Sequence, residues 1–143
     1  MKKKRRPLLK MLVLIVLAAC VYFGLNYFVP RKVITADRIY TIVVNDSGTG
    51  NSKADFSEEE IQQMKSILSG RRIKGEPYSD YLYSKDSIMI MIECGHDNKV
   101  TDIMQILIDG DECWVMKTGD PGTWQGYWIP RLSEKVRDLL WEK

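Results

Sequence analysis

The chain has 143 residues, which leaves one small domain once its apolar N-terminal segment is set apart. Residues 1–30 hold six of the 21 Lys and Arg residues and none of the 19 Asp and Glu residues, so residues 31–143 carry 15 basic and 19 acidic residues, a net charge of −4. Binding to nucleic acid needs clustered cations that neutralise phosphates, so this acidic segment is expected to bind no nucleic acid.

An uncharged apolar run occupies residues 11–29. As a helix, those 19 residues would be roughly 28 Å long, which matches the hydrocarbon core of a bilayer. Six positive charges precede the run, and Arg31 and Lys32 follow it. Because the more basic flank stays in the cytoplasm, the pattern predicts a single-pass cell-membrane protein. Residues 1–10 would be its cytoplasmic N-terminus, and the C-terminal domain would be extracytoplasmic.

The same segment also has features of a cleaved signal. Residues 17–20, Leu-Ala-Ala-Cys, resemble the bacterial lipobox, in which the chain is cut before the Cys and that Cys is lipidated. Cys20 is therefore a candidate lipidation site. A lipoprotein usually continues with a polar tether, whereas residues 21–29 stay apolar apart from Asn26. A retained signal-anchor span and a lipidated anchor both remain open, and a buried core helix of a soluble protein is a third interpretation.

The outer part of the chain is predicted to begin after a short tether. Residues 30–37 form the tether, and residues 38–143 form the extracytoplasmic domain. Residues 38–44 read as a strand that is apolar on both faces, which favours a position inside a sheet. Residues 45–52 are rich in turn-forming residues and predict an exposed loop.

A helix is predicted over residues 58–69 from its capping pattern. Ser57 is the expected N-cap, and Glu60 completes a capping box with it. Gly70 is the expected residue just past the C-terminal end, where glycine is preferred. The acidic residues of the first turn complement the positive end of the helix dipole, which explains them better than a metal site does.

Three further strands are predicted over residues 87–94, 101–108 and 112–118. Turn-forming residues separate these apolar runs, so the pattern indicates a three-stranded antiparallel meander.

The two cysteines of this meander are predicted to stay unpaired. Counting from the centres of the two turns pairs Leu107 with Ile88 on one side and with Cys113 on the other. Cys94 then lies at the opposite end of the meander, roughly 20 Å away along the strands. A disulfide needs Cα atoms within about 7 Å, so both thiols are expected to be free.

An aromatic turn and a last helix complete the domain. Trp124, Tyr127 and Trp128 flank Gly126, and Pro130 is expected to open the helix, where its missing N–H is tolerated. The order of elements predicts an α+β fold: one N-terminal transmembrane helix, then a small antiparallel sheet (strand, helix, meander) with two helices on one face.

Residues 38–141 resemble small membrane-anchored or lipoprotein-like domains of unknown function from Firmicutes. Those domains begin with a strand and a Ser-Glu-Glu-type helix, as at residues 57–59. They end with a strand such as residues 113–116, a Gly-aromatic turn like residues 125–129 and a short helix. The resemblance implies the same plan of fold and a place in the bacterial cell envelope. That family carries no known active site, so the resemblance assigns no functional residue here.

Aromatic residues near the C-terminus are the leading candidates for a binding site. Exposed Trp and Tyr rings supply amphipathic contact area for protein, peptide or carbohydrate surfaces, and they are equally suited to packing the last helix onto the sheet. A Met-rich face is a second candidate, open to a partner if the helices cover only one side of the sheet. The binding candidates are Trp114, Trp124, Tyr127 and Trp128, and the Met-rich face consists of Met89, Met91, Met104 and Met116.

Residues able to carry catalysis are few. Cys94 and His96, with Asp97 beside them, suggest a small envelope hydrolase, but all three lie on one predicted turn with nothing rigid to orient them. Metal-ligand spacings and a phosphate-binding glycine motif are missing, so no catalytic residue, metal or cofactor is expected. The sequence therefore favours a non-enzymatic binding module at the membrane lipid bilayer, with an envelope protein or a cell-wall ligand as its partner.

Overall fold

The computed structural model describes residues 5–77, 85–96, 99–119 and 123–142. Those residues form three helices and an eight-stranded antiparallel sheet, a mixed α+β architecture that is mostly sheet. The helices are α1 (Arg5–Phe28), α2 (Glu58–Ile67) and α3 (Leu132–Trp141). The strands are β1 (Arg31–Lys32), β2 (Arg38–Asp46), β3 (Asn51–Lys53), β4 (Ser69–Ile73), β5 (Ile88–His96), β6 (Lys99–Asp109), β7 (Glu112–Lys117) and β8 (Gln125–Trp128).

The sheet runs in the order β1-β4-β8-β7-β6-β5-β2-β3, and each neighbouring pair is antiparallel. Strands β5, β6 and β7 follow one another in the chain and in the sheet, which confirms the predicted meander. Strand β2 lies between β5 and β3, inside the sheet, as its two apolar faces indicated. Strands β4 and β1 extend the sheet beyond β8, at the edge that continues directly from α1.

Alternate residues of the strands and the apolar sides of α2 and α3 form one hydrophobic core. Ile88, Ile90 and Ile92 of β5 are fully buried in it, as are Met64 of α2 and Val136 of α3. Each such side chain contributes on the order of 1.5–3 kcal/mol by leaving water. No described residue of α1 belongs to this core.

The segment predicted as a tether, residues 30–37, packs against the domain. Val33, Ile34 and Ala36 are buried in the hydrophobic core. Removing these apolar side chains from water favours packing of the segment over a free tether. The Val33 N–H also donates to the Leu68 carbonyl at 2.9 Å. The connection between the end of α1 and the start of β1 is two residues long.

The capping box of α2 is confirmed. The Ser57 hydroxyl accepts from the Glu60 N–H at 3.2 Å, and the Glu60 carboxylate accepts from the Ser57 N–H at 3.1 Å. The interpretation of Gly70 as the helix stop is wrong, because the chain passes at once into β4, and Gly70 lies in that strand. A Cβ atom at Gly70 would overlap the Trp128 carbonyl and the Ile129 side chain, so glycine serves a close strand approach here.

The register of the meander differs by one residue from the predicted one. Ile88 pairs with Ile108 instead of Leu107, because the irregularity between Cys94 and Gly95 leaves one residue of β6 without a partner in β5. A shift of one residue exchanges the two faces of a strand. Met104 therefore lies in the core, and its assignment to the Met-rich face is wrong.

Helix α3 begins two residues after Pro130, so the prediction that Pro130 opens it is wrong. The N-cap is Arg131, with a φ of 55° in the left-handed region. Two contacts hold this strained residue: its N–H donates to Asp111 Oδ1 at 2.8 Å, and its guanidinium pairs with Glu134. The turn at Arg131 comes between the proline and the first helical residue.

Candidate functional site

Helix α1 is the one helix in the described part of the chain that is long and apolar enough to cross a membrane. Its apolar part, Pro7–Phe28, has 22 residues, and its most apolar window has a mean hydropathy of 2.5 with no part buried. It is thus not packed as the core helix of a soluble protein would be. Cys20, the candidate lipidation residue, is exposed on this helix.

The strand residues that alternate with the core residues form a second surface, the Met–Trp face. Three of its large hydrophobic side chains are exposed: Met91 by 46%, Ile103 by 40% and Trp128 by 38%. Outside α1, the other exposed large hydrophobic residues of the described chain are Val29, directly after that helix, and Tyr40 at the β2 irregularity. The members of the Met–Trp face are Val43, Met89, Met91, Glu93, Ile103, Gln105, Leu107, Trp114, Met116 and Trp128.

One row across this face is closed to solvent at Leu107 and Trp114 and half-open at Met89. Met89 pairs with Leu107, Leu107 pairs with Trp114, and Trp114 pairs with Gly126. A Cβ atom on Gly126 would lie 2.6 Å from Trp114 Cζ3, so the indole ring lies directly over Gly126. Leu107 and Trp114 are buried, and this row is a small second apolar layer.

The neighbouring rows are open. Met91 and Met116 both pair with Gln105, and Ile103 pairs with Glu93. The result is a surface of Met91, Ile103 and Met116 interspersed with the polar side chains of Gln105 and Glu93. Exposed apolar surface with a polar rim is typical of protein–protein contact sites, and methionine side chains adapt to different partners.

The four candidate aromatic residues occupy different environments. Trp128 is partly exposed on the Met–Trp face, whereas Trp114 is buried on that face. Tyr127 lies on the core side and is buried there, because neighbouring strand residues point to opposite faces. Trp124 is half-buried and lines a groove beside the end of α1. The structure thus brings Trp114 and Trp128 onto one face and separates Tyr127 from them.

A cation stack joins α1 to the sheet. The Arg71 guanidinium carbon lies 5.4 Å from the Tyr27 ring centroid and 5.5 Å from the Trp128 ring centroid, within range of cation–π attraction. Arg71 and Trp128 pair across β4 and β8, and Tyr27 is in the last turn of α1. The stack therefore places one edge of the sheet beside the end of the apolar helix.

The carboxylate of Asp46, in the loop predicted over residues 45–52, is buried and connects β2 to α3. Asp46 ends β2 with 2% exposure. Arg137 of α3 donates to both carboxylate oxygens at 2.9 Å, Trp141 Nε1 donates at 3.2 Å, and the Gly48 N–H donates at 2.9 Å. Sequence reasoning missed this residue because Asn-Asp-Ser-Gly has the composition of a solvated turn, and Arg137 lies 91 residues away.

Acid is expected to weaken the fold through Asp46. Burial alone raises the pKa of its carboxyl, but hydrogen bonds from Arg137, Thr49 and Trp141 outweigh burial and lower the pKa from 3.8 to about 2. A folded pKa below the unfolded one gives stability that is present above the unfolded pKa and is lost as the pH falls. We expect a loss of about 2 kcal/mol between about pH 5 and pH 2, measured by denaturant titration. An Asp46→Asn variant should lack this part of the pH dependence.

The environment of Cys94 disfavours the hydrolase interpretation. The thiol is buried on the core side, and its Sγ lies 3.7 Å from the Asp102 carbonyl oxygen. Burial raises the pKa of Cys94, and a buried thiol with a raised pKa is a weak nucleophile. His96 belongs to β5, and its side chain, like Asp97, lies outside the described residues.

Native thiol labelling should report the burial of the two cysteines of the sheet domain. Cys94 and Cys113 are free and buried, as the sequence predicted for an unpaired state, and burial raises the pKa of Cys113 to about 12. We expect a water-soluble maleimide at pH 7.5 to leave both unmodified in the folded chain and to modify both after denaturation. Rapid modification of Cys94 without unfolding, read by mass spectrometry of its peptide, would restore the hydrolase interpretation.

The described residues contain no group of three or more His, Cys, Asp and Glu side chains able to hold a metal ion. No family model matches the chain, and no curated protein or solved structure is significantly similar to it. The resemblance to the Firmicutes domains stays a prediction, and function is argued from the geometry of this chain alone.

Proposed function

We propose that the chain is a non-enzymatic interaction module, anchored in the cell membrane by α1, whose Met–Trp face binds another protein of the cell envelope. The observation that carries this proposal is the exposure of Met91 and Ile103 on one face of the sheet, with the half-buried Met116 on the same face. Apolar side chains that remain exposed together in a folded domain mark contact sites.

In this proposal both α2 and α3 cover the core side of the sheet. The buried residues Met64 of α2 and Val136 of α3 belong to the same cluster as Ile90, whereas the next residue of β5, Met91, is exposed. Helices on one side of a sheet leave the other face uncovered by helices, and Met91 and Ile103 are the residues of that face that are exposed to a partner here.

The proposed orientation puts the N-terminus in the cytoplasm and the sheet domain outside. It is supported by six positive charges within residues 1–10, against two directly after the span. The alternative anchor, a lipidated Cys20, would leave the outer domain unchanged. An intact mass of the membrane-extracted chain distinguishes the two, since a retained span gives the full 16.6 kDa and a processed lipoprotein gives a shorter, lipid-bearing chain.

A protein partner fits this face better than a cell-wall glycan. Glycan binding relies on freely exposed aromatic rings, whereas Trp128 is covered on one side by Arg71 and Trp114 is buried. The Met–Trp face instead offers flexible methionine side chains, with Glu93 and Gln105 as hydrogen-bonding groups.

Photocrosslinking in intact cells tests the proposal. A photoreactive amino acid at Met91 is expected to give one discrete adduct, identified by mass spectrometry. The matched control carries the same amino acid at Lys135, an exposed position of α3, and should give no such adduct.

Two results would contradict a binding role for the Met–Trp face. One is the absence of any adduct from Met91 in a variant shown to be folded and membrane-bound. The other is the same adduct from Met91 and Lys135, which would indicate random collision in the membrane.

A further inference from the structure

The sheet edge beside α1 carries a concentration of positive charge. Five cations lie on β1, β4 and the residue that follows β4, and residues 26–34 and 69–75 contain no Asp or Glu. None of the five forms an ion pair with another described residue. This edge contrasts with residues 31–143 as a whole, whose net charge is −4. The five, which we call the basic edge, are Arg31, Lys32, Arg71, Arg72 and Lys74.

The basic edge lies at the depth of lipid headgroups when α1 spans a bilayer. Only two residues separate α1 from β1, and Arg71 lies 5.4 Å from the ring centroid of Tyr27 in the last turn of α1. The headgroup layer on each side of a bilayer is roughly 5–8 Å thick. Residues in contact with the end of the span therefore sit within that layer.

A groove opens at the same place. Its volume is about 620 Å³, and it lies between the last turn of α1 and the strands β4 and β8. Tyr27 and Trp124 line it, and these amphipathic rings favour the interface between lipid and water. Arg72 and Lys74 bring positive charge to the groove, and Ile73 adds an apolar wall. The cations complement the phosphate of a lipid headgroup, and the apolar and aromatic surface beside them complements the start of the acyl chains.

We propose that this groove and the basic edge bind the phosphate headgroup of an anionic glycerophospholipid from the bilayer that holds α1. The inference rests on the membrane anchoring in the proposed function, and its surface meets the Met–Trp face only where Arg71 stacks on Trp128. The phosphate of the bound lipid supplies a negative charge to these cations, which form no ion pair with another residue of the described chain. Together with the Arg71 stack, it holds the domain at a fixed angle to the membrane and keeps the Met–Trp face accessible.

Native mass spectrometry of the full chain tests this proposal. The chain is purified in detergent with equal amounts of phosphatidylglycerol and phosphatidylcholine, and the retained lipids are counted. The wild-type chain should retain phosphatidylglycerol preferentially. Each cation near an anionic headgroup changes affinity roughly fivefold, so Arg72→Gln with Lys74→Gln should lower the preference about 25-fold. Both side chains are exposed, which limits the effect of the substitutions on the fold.

The matched control removes the same charge elsewhere. Lys85→Gln with Lys135→Gln changes two exposed lysines away from the basic edge and should keep the wild-type preference. An equal loss in this control, or no preference in the wild-type chain, would overturn the headgroup site. Displacement of the lipid by 10 mM inorganic phosphate would also overturn it, in favour of a site for soluble anions.

Alkaline carbonate extraction separates failure of this inference from failure of the proposed function. A chain that stays in the membrane pellet but shows no lipid preference contradicts the headgroup site alone. A chain released into the soluble fraction contradicts the membrane anchoring on which both proposals depend.

Discussion

Replacing Arg137 with Met is expected to destabilise the outer domain by about 3–5 kcal/mol, because it leaves the buried Asp46 carboxylate without its cation. The two 2.9 Å hydrogen bonds from Arg137 disappear, and the Asp46 side chain is 0% exposed, so water cannot replace them. The expected observation is a lower denaturant midpoint for the full chain in detergent, with an unchanged slope, followed by tryptophan fluorescence.

A matched variant and a double variant make the Arg137 result specific. Lys135→Met removes a positive charge from the exposed side of the same helix and should leave the midpoint near the wild-type value. The double variant Asp46→Ala, Arg137→Met should be more stable than Arg137→Met alone, because no unpaired charge remains in it. If the double variant is the less stable of the two, the ion pair does not act as a unit.

The second large effect is expected from Gly70→Ala, which should destabilise the edge of the sheet by about 3 kcal/mol. The added methyl group would overlap the Trp128 carbonyl oxygen, which is backbone and cannot rotate away. We expect β4 to separate from β8, and β1 to lose its pairing with β4. Hydrogen exchange should then show faster exchange of the amides of β1 and β4, while the meander stays protected.

Gly119→Ala is the matched control for this substitution. Nothing lies within 4 Å of a Cβ atom built there, so the same methyl group should change neither stability nor exchange. If Gly70→Ala also retains wild-type exchange at β1 and β4, the close approach of β4 and β8 is not a constraint on the fold. The variant should further weaken lipid retention at the basic edge, since Arg71 and Arg72 belong to the strand that detaches.

Features encoded within a few neighbouring residues could be predicted from the sequence. The uncharged run of α1 indicates its length, and the Ser57–Glu60 capping box defines the start of α2. The meander was predictable because turn residues separate three apolar runs. These signals are local, so they do not require knowledge of which segments meet in the folded domain.

Strand β4 could not be predicted, because its sequence Ser-Gly-Arg-Arg-Ile lacks the alternation of a half-buried strand. It pairs with β8, more than fifty residues later, and Gly70 reads as a helix stop in isolation. The sequence also gives no sign of the one-residue change in register beyond Cys94. That change places Met104 on the core side of the sheet.

The candidate site was visible only in part. The sequence indicated a Met-rich face, and Met89, Met91 and Met116 do share one face of the sheet. The basic edge was not visible, because its two halves, residues 31–32 and 71–74, lie about forty positions apart in the sequence. They come together only through the pairing of β1 with β4.

Topology mapping in intact cells tests most directly the central claim of a bilayer-anchored module with an extracytoplasmic sheet domain. A Lys135→Cys variant places a thiol on the exposed side of α3, while Cys94 and Cys113 stay buried and unlabelled, and the unsubstituted chain controls for any labelling of Cys20 on α1. A membrane-impermeant maleimide should label this variant without permeabilisation, in the membrane fraction. Labelling that requires permeabilisation, or a labelled chain that is not membrane-bound, would contradict the proposed placement.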